Sequence, residues 1–276
     1  MTLSVRQLEP ADLDALRGLV NQHPVRHSLV ASRLEQPGAG GVVAGRFLGA
    51  FEGHHLSSAL MLGANLVPLA TTENSRNLFA QHLTGSWRNC LSLVGLADEV
   101  LGLWDLLEPK WGSAREVRSS QPFLTMDSES KVLFDECVRY STLADFDSLF
   151  PASVAMFTEE VGVSPILHGS AAYRQRVKEI VANRRSFIRM DGDDVVFKAD
   201  VGAVGNGVAQ LQGVWINPRY RGLGLAAPAI AAVVRHVLSD IANVVSLYAN
   251  SYNLAALAAY RRVGFEQSDT FATVLL

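Results

Sequence analysis

A strand-like segment, a proline turn and a glycine-containing loop follow one another between residues 211 and 226, where the sequence is best suited to chemistry. The loop reads Arg221-Gly222-Leu223-Gly224-Leu225-Ala226 and leads into an alanine-rich helical pattern. A helix N-terminus leaves several backbone N–H groups without partners and carries partial positive charge. Because glycine lacks a Cβ atom, Gly222 and Gly224 let an anion approach those groups, and Arg221 adds a permanent cation. These are the parts needed to hold a diphosphate.

The spacing of the two glycines is shared by several kinds of loop. No Gly-Lys-Ser/Thr sequence follows, so the loop is not a P-loop. Alanines occupy positions 226 and 227, so it is not the GxGxxG loop of dinucleotide-binding folds either. On spacing alone, a phosphate site and a tight strand-to-helix turn remain equal alternatives.

A second segment offers a proton donor and an amide side chain. Asn253 follows the strand-like run Val244–Ala249, and Tyr260 lies in the helical pattern Leu254–Arg262, which is followed by Gly264-Phe265. The phenol of a tyrosine, with a pKa of about 10, is protonated at neutral pH and can donate its proton. Taken alone, Tyr260 is better explained as an amphipathic tyrosine of the core.

Alternating strands and helices must position these residues. Val195–Val204 and Ala209–Ile216 are predicted strands, and Leu223–Leu238 is a predicted helix. The strand and helix of the second segment follow. This alternation implies parallel pairing of strands in the last third of the chain.

We expect a domain boundary near the end of Ser113–Asp127, a polar stretch that is predicted to be irregular. The expected domains are therefore an N-terminal α/β domain at residues 1–127 and a second domain at residues 128–276. The second domain is expected to begin with a strand, Val132–Tyr140, and a helix, Leu143–Phe157.

The two halves of the chain begin and end alike. Val5-Arg6 and Val138-Arg139 each precede a helical pattern, and each half closes with a strand, a helix and an aromatic–glycine pair, Trp111-Gly112 and Gly264-Phe265. We interpret this as a weak internal duplication. The alternative is two unrelated α+β domains.

Composition limits the classes of function. Hydrophobic residues make up 49% of the 276 residues, and the net charge of -3 gives no general attraction to nucleic acid or an anionic membrane. Cys90 and Cys137 lack CxxC spacing and the histidines lack HExxH spacing, so no metal site is expected. Without a signal-peptide pattern or an apolar run long enough to span a bilayer, the expected location is the cytoplasm. Monomer and homodimer both remain open.

The motifs resemble those of the GNAT superfamily of N-acetyltransferases. The order Arg-x-x-Gly-x-Ala after Val-x-Ile-x-Pro-x-Tyr is similar to its acetyl-CoA signature and is matched by Arg221, Gly224 and Ala226. The second segment resembles the family's strand, Asn, helix, Tyr and Gly-Phe ending. The resemblance covers residues 131–276 and implies an α+β fold with a central mixed, twisted sheet flanked by helices. It also implies direct transfer of an acetyl group from acetyl-CoA to an amine.

The same resemblance assigns roles to individual residues. It implies that the amides of residues 221–226 bind the CoA pyrophosphate, and that Asn253 contacts the cofactor. The preceding strand, Val214-Trp215-Ile216, would splay from its neighbour and pair its backbone with the pantetheine arm. Tyr260 would protonate the departing CoA thiolate.

The general base is less well defined by the sequence. Many family members place a carboxylate on the strand before the phosphate loop, but this strand carries glutamines at positions 210 and 212 and no carboxylate. The best candidates are Glu159 and Glu160, at the end of the second domain's first helix, where the resemblance implies the acceptor site. Adjacent carboxylates there could hold a cationic amine. The alternative is a solvated helix end.

The N-terminal half has no comparable loop. Its corresponding segment, Thr71–Arg76, contains no glycine, and Glu108 stands four residues before Gly112, where Tyr260 stands four before Gly264. This resembles tandem GNAT proteins with one degenerate half, which would cover the acceptor cleft or hold the active half. Two other functions stay open: a catalytically silent CoA-binding regulatory or scaffolding module, and an aminoacyl-tRNA-dependent transferase. The acceptor could be a peptide N-terminus, a protein lysine, a small amine or an antibiotic.

Overall fold

The computed structural model describes residues 3–35, 46–85 and 90–276, and the chain divides into two compact units. Unit 1 comprises Met1–Leu124, Tyr248–Asn253 and Gln267–Leu276, and unit 2 comprises Thr125–Leu247 and Leu254–Glu266. Unit 1 thus takes two segments from beyond the boundary expected at residue 127. The compact units are therefore not continuous stretches of sequence.

Unit 1 is built on a mixed sheet with the strand order β1-β2-β3-β4-β5-β12-β6. Strands β1 to β4 are antiparallel, β4 and β5 are parallel, and β12 is antiparallel to β5. The strands are β1 Leu3–Gln7, β2 Phe47–Glu52, β3 His55–Met61, β4 Asn65–Leu69, β5 Ser92–Leu96, β6 Glu116–Met126 and β12 Glu266–Leu275.

Helices cover both faces of that sheet. Successive residues of a strand point to opposite faces, so Phe47 belongs to a cluster with Leu16 and Leu69, whereas Leu48 packs with Phe79 and Leu103. The helices are α1 Leu13–Asn21, α2 Ser28–Leu34, α3 Glu73–Thr84 and α4 Ala97–Trp111. Along the described parts of the chain, every helix is too short or too polar to cross a bilayer.

Along the chain, unit 2 has the same order of strands and helices as unit 1. Its strands β7 to β10 are antiparallel neighbours, and β11 pairs with β10 in parallel, which confirms the parallel pairing predicted there. The strands are β7 Arg139–Tyr140, β8 Ser186–Asp191, β9 Asp194–Gly205, β10 Val208–Ile216 and β11 Val244–Tyr248. The helices are α5 Phe146–Val161, α6 Ala171–Ala182, α7 Ala226–Asp240 and α8 Leu254–Val263. The predicted α+β class, a mixed sheet flanked by helices, is confirmed.

The two units also begin with the same side-chain motif. The Arg6 guanidinium binds both carboxylate oxygens of Asp12 at 2.7 and 2.8 Å, and Arg139 binds Asp145 in the same way at 2.8 and 2.7 Å. In each case the aspartate also accepts a backbone N–H three residues earlier, from Glu9 or Thr142. This repeated geometry supports the internal duplication expected from the sequence.

Two elements differ from the sequence-based expectation. Glu116–Met126, expected to be irregular, is strand β6, because its polar residues cluster where the strand is mostly exposed and Phe123 is buried further along. The expected strand Val132–Tyr140 shrinks to β7. There Asp135 accepts the N–H of Cys137 with its side chain and the N–H of Val138 with its carbonyl, a turn that replaces ladder bonds.

Candidate functional site

The N-terminus of α7 is open. Helix α7 begins at Ala226 rather than at Leu223 as expected, because Gly222 and Gly224 have φ values of 77° and 75°, outside the helical region. The N-cap Leu225 provides no side-chain hydrogen bond, and a Cβ atom on either glycine would meet nothing within 4 Å. This cradle, residues 221–226, therefore presents N–H groups and free space, which is what a diphosphate requires.

Arg221 does not point freely into this space. Its Nε donates to the Ile216 carbonyl oxygen at 3.0 Å, and its Nη2 donates to Glu159 Oε2 at 2.7 Å. Both side chains of the ion pair are about half exposed, and exposed pairs of this kind contribute at most about 1 kcal/mol. The cation is therefore at the cradle, held by a contact that is easily opened.

Glu159 is engaged by two donors. Besides Arg221, the Trp215 indole Nε1 donates to Glu159 Oε2 at 3.1 Å. The hydrogen bond from Arg221 lowers the pKa of Glu159, and the bond from Trp215 adds to this effect. A carboxylate stabilised in this way is a weaker base, so its geometry suits holding Arg221 better than accepting a proton.

Strand β10 contains a β-bulge that the sequence analysis did not predict. Gln212 is opposite Asp200 and Trp215 is opposite Lys198, so two residues of β10, Gly213 and Val214, face a single residue of β9. Gly213 has a φ of 57°, which favours glycine. A glycine inside a predicted strand is the signal that could have identified this bulge.

The pairing of β10 with β11 is short. It runs from Val208 opposite Val244 to Gln210 opposite Ser246 and ends there. Within the described part of unit 2, residues 211–216 of β10 therefore have no ladder partner on that side. A strand edge of this kind can pair with an extended ligand through its backbone N–H and C=O groups.

Tyr260 lies in α8 and is 6% exposed, with its ring edge-on to Phe265 at 5.8 Å. Burial raises its pKa, and the negative charge of Glu160 raises it further, so the hydroxyl keeps its proton at neutral pH. Among the residues that the structure describes, none accepts a hydrogen bond from this hydroxyl.

The remaining predicted residues lie at the surface. Glu160 is exposed at the end of α5, and its charge adds a little to the rise in the pKa of Tyr173, which is caused mainly by burial. Leu223 is exposed within the cradle, and Asn253 is exposed in a segment of unit 1, where its N–H donates to the Asn250 carbonyl oxygen at 2.9 Å. The role of Asn253 stays a prediction.

The structure also shows a buried ion pair that sequence reasoning missed. Lys198 Nζ lies 2.6 Å from Asp200 Oδ2, and the lysine side chain is fully buried. A lysine inside the apolar run Val195–Val204 was the available signal. Within residues 3–35, 46–85 and 90–276, no group of three His, Cys, Asp or Glu residues could hold a metal ion, and the expectation of a metal-free site stays a prediction.

Two family models match the chain. Residues 45–149 match a domain of unknown function (DUF4081), and residues 166–265 match the acetyltransferase (GNAT) family. No curated protein matches.

Several solved structures share the fold over almost the whole chain. A GCN5-related N-acetyltransferase from Sphaerobacter thermophilus is 13% identical, with a TM-score of 0.63 over 98% of this chain and 94% of that one. A GNAT-family acetyltransferase from Colwellia psychrerythraea is 11% identical, with a TM-score of 0.59 over 100% of both chains. A Drosophila protein is 13% identical, with a TM-score of 0.64 over 99% of this chain and 98% of that one. At these identities the similarity shows the fold alone.

Proposed function

Since residues 166–265 of this chain belong to the acetyltransferase (GNAT) family, we propose that the protein is an acetyl-CoA-dependent N-acetyltransferase. It would move an acetyl group directly to an amine. The observation that carries the proposal is the open cradle at the start of α7, where positive-φ glycines leave the helix N–H groups uncovered.

The residues present fit a CoA thioester. Residues 221–226 would hold the pyrophosphate through helix N–H groups and Arg221, once Arg221 is released from or shared with Glu159. The unpaired edge of β10, with Val214, Trp215 and Ile216, would hold the pantetheine arm through backbone hydrogen bonds. Bound acetyl-CoA supplies the activated acyl group.

Tyr260 would hold the proton that the departing thiolate takes up. Burial raises its pKa, which keeps the phenol protonated but also makes it a weaker acid, so Tyr260 would give up this proton only as the thiolate forms beside it. Glu160 is the better remaining candidate to attract a cationic amine, because Glu159 already binds Arg221 and Trp215. The acceptor is therefore proposed to carry an amine, in the cytoplasm, with no nucleic acid or membrane partner.

The test is a titration of the protein with acetyl-CoA by calorimetry, followed by a transfer screen over amine pools with mass spectrometry of the products. We expect one acetyl-CoA per chain, because a capping box covers the corresponding helix start of unit 1, and a mass gain of one acetyl group on an amine. Failure of acetyl-CoA to bind would refute the proposal. Two molecules per chain would refute the degenerate role of unit 1.

A silent CoA-binding module is the second candidate, and one observation favours it. The carboxylate nearest the cradle, Glu159, is tied to Arg221 and Trp215 rather than free to act as a base. Such a module would bind acetyl-CoA with the same stoichiometry and release no CoA with any amine. Release of free CoA that depends on an added amine would exclude it.

A further inference from the structure

The buried ion pair of unit 2, Lys198–Asp200, has no role in the function proposed above. Lys198 and Asp200 are two residues apart on β9, so their side chains share one face of the strand. Lys198 is fully buried and the side chain of Asp200 is 10% exposed. Desolvating two charges costs several kcal/mol per ion, and a lysine is almost never fully buried without a partner. Because burying both charges is costly, there must be a structural or functional reason for placing this pair on β9.

The two residues of the pair lie opposite the residues that flank the bulge of β10. Asp200 is opposite Gln212 and Lys198 is opposite Trp215, the two residues on either side of the bulge formed by residues 213 and 214. The hydrogen-bonded ions thus lie at one of two register shifts between β9 and β10, the other being between Gln210 and Leu211.

The ammonium group lies directly beneath the bulge. A Cβ atom on Gly213 would stand 3.4 Å from Lys198 Nζ and 2.7 Å from Met156 Cε, so a side chain there would displace both. The ammonium is the nearest charged group to this point, nearer than the carboxylate of Asp200. The pair is therefore a dipole whose positive end faces the backbone of the bulge, in a part of the unit with little solvent to screen it.

We propose that the Lys198–Asp200 pair is a positioning element of the acyl site, which fixes the bulge and holds positive charge beneath it so that the carbonyl of a bound thioester is polarised. The inference rests on the proposed function and adds two residues to its site. Neither residue touches the thioester in this scheme. Both act through the backbone of the bulge, where fixed dipoles stabilise negative charge that develops on the carbonyl oxygen.

The competing explanation is a purely structural ion pair. Replacing a buried pair by uncharged residues of similar volume is often neutral for stability, whereas removing one partner leaves a buried, uncompensated charge. The test therefore removes both charges together, in the variant Lys198→Met/Asp200→Asn. If that variant does not fold, Lys198→Gln/Asp200→Asn joins the same positions by an amide–amide contact and gives the same readout.

The readout is the infrared carbonyl band of acetyl-CoA labelled with carbon-13 at the carbonyl, measured free and bound. It reports polarisation of the C=O bond and needs no acceptor. A matched control, Arg189→Met/Asp135→Asn, removes another ion pair of unit 2, in which the charged atoms are 2.7 Å apart and the side chains are 24% and 14% exposed. Folding is checked by thermal melting, and acetyl-CoA affinity by calorimetry.

We expect the wild type and the control to shift the band to lower frequency on binding, and the Lys198/Asp200 double variant to bind acetyl-CoA with that shift reduced or lost. An undiminished shift in the folded double variant would overturn the inference, as would a wild type that binds with no shift. A double variant that folds but no longer binds would make the pair structural. Failure of the wild type to bind acetyl-CoA would instead refute the proposed function.

Discussion

The junction between β4 and α3 in unit 1 and the junction between β10 and α7 in unit 2 stand at the same place in a repeated chain order. Both strands pair in parallel with the next strand over a few residues only, and the next α-helix along the chain is α3 after β4 and α7 after β10. In unit 2 the helix begins behind two positive-φ glycines and has no side-chain cap. In unit 1 it begins with a complete capping box.

That capping box occupies the groups that a ligand would use. The Ser75 N–H donates to Thr72 Oγ1 at 3.2 Å, and the Thr72 N–H donates to Ser75 Oγ at 2.8 Å. Just before it, the Thr71 N–H donates to the buried carboxyl of Glu99 at 3.2 Å, and Arg76 turns back to the Thr71 carbonyl oxygen. A helix N-terminus is therefore an anion site only where the chain leaves its donors uncovered.

The last helices of the two halves, α4 and α8, differ in a similar way at the position of the proposed proton donor. The Gly112 N–H donates to the Glu108 carbonyl oxygen at 2.9 Å, and the Gly264 N–H donates to that of Tyr260 at 3.1 Å. The backbone geometry is shared, but unit 1 carries an exposed glutamate where unit 2 carries a buried tyrosine. The position is the same in both units, and only unit 2 carries there the residue that is proposed as proton donor.

The largest effect is expected from Tyr260→Phe. Turnover should fall about 10²–10⁴-fold with acetyl-CoA affinity nearly unchanged, because the lost interaction exists only as the thiolate develops. Steady-state kinetics and calorimetry on the same preparation would show this split. Glu108→Gln is the matched control at the corresponding place in unit 1. Full turnover in the folded Tyr260 variant would leave the tyrosine with a structural role only.

Gly224→Glu should weaken acetyl-CoA binding about 10³-fold, because a carboxylate in the cradle repels the pyrophosphate and fills the approach to the N–H groups. Calorimetry measures the change. The control is Gly207→Glu, which places the same side chain on a glycine with a φ of 70° at the other end of β10. If the two folded variants bind equally well, the cradle has been assigned to the wrong loop.

Glu99 should make the stability of unit 1 depend on pH. Burial raises the pKa of its carboxyl to about 7, against lowering contributions from the Thr71 and Ala70 backbone and from Arg76 and Arg26. Because the folded value is above the unfolded one, the stabilisation is complete below about pH 4.5 and is lost as pH rises to about 7, by about 3 kcal/mol in total.

Denaturant unfolding at several pH values would measure this loss. Glu99→Gln should remove the slope between pH 4.5 and 7, whereas Glu108→Gln, on the exposed side of the same helix, should keep it. Identical slopes in the wild type and Glu99→Gln would argue against a buried, proton-binding carboxyl at the first junction.

Thr72→Ala should have the smallest effect. Loss of the N-cap hydrogen bond should lower the free energy of unfolding by about 1 kcal/mol and leave acetyl-CoA affinity unchanged, because the capping box, and no ligand, is expected to occupy this helix end. Thermal melting and calorimetry would separate the two quantities, with Thr84→Ala at the other end of α3 as control. A weaker affinity for acetyl-CoA would bring the first junction into the binding site.

The sequence predicts those features that local residue types determine. The cradle follows from glycines that adopt positive φ before a helix, and the parallel pairing of β10 and β11 follows from alternating elements. Strand β6 was missed because its polar residues belong to an exposed stretch that only the sheet defines. The bulge at Gly213 and the pair beneath it depend on which residues face each other across β9 and β10. The contact between Glu159 and Arg221 joins positions 62 residues apart, beyond any local pattern.

The position of strand β12 in the sheet affects when unit 1 can fold during synthesis. This strand lies between β5 and β6 within the sheet of unit 1, although it is encoded after all of unit 2. Residues 267–276 must therefore emerge from the ribosome before the sheet of unit 1 can be completed, so this unit cannot finish folding before unit 2 has been synthesised. Until then the edge of β5 that pairs with β12 stays uncovered, and an uncovered strand edge is open to pairing with the wrong partner.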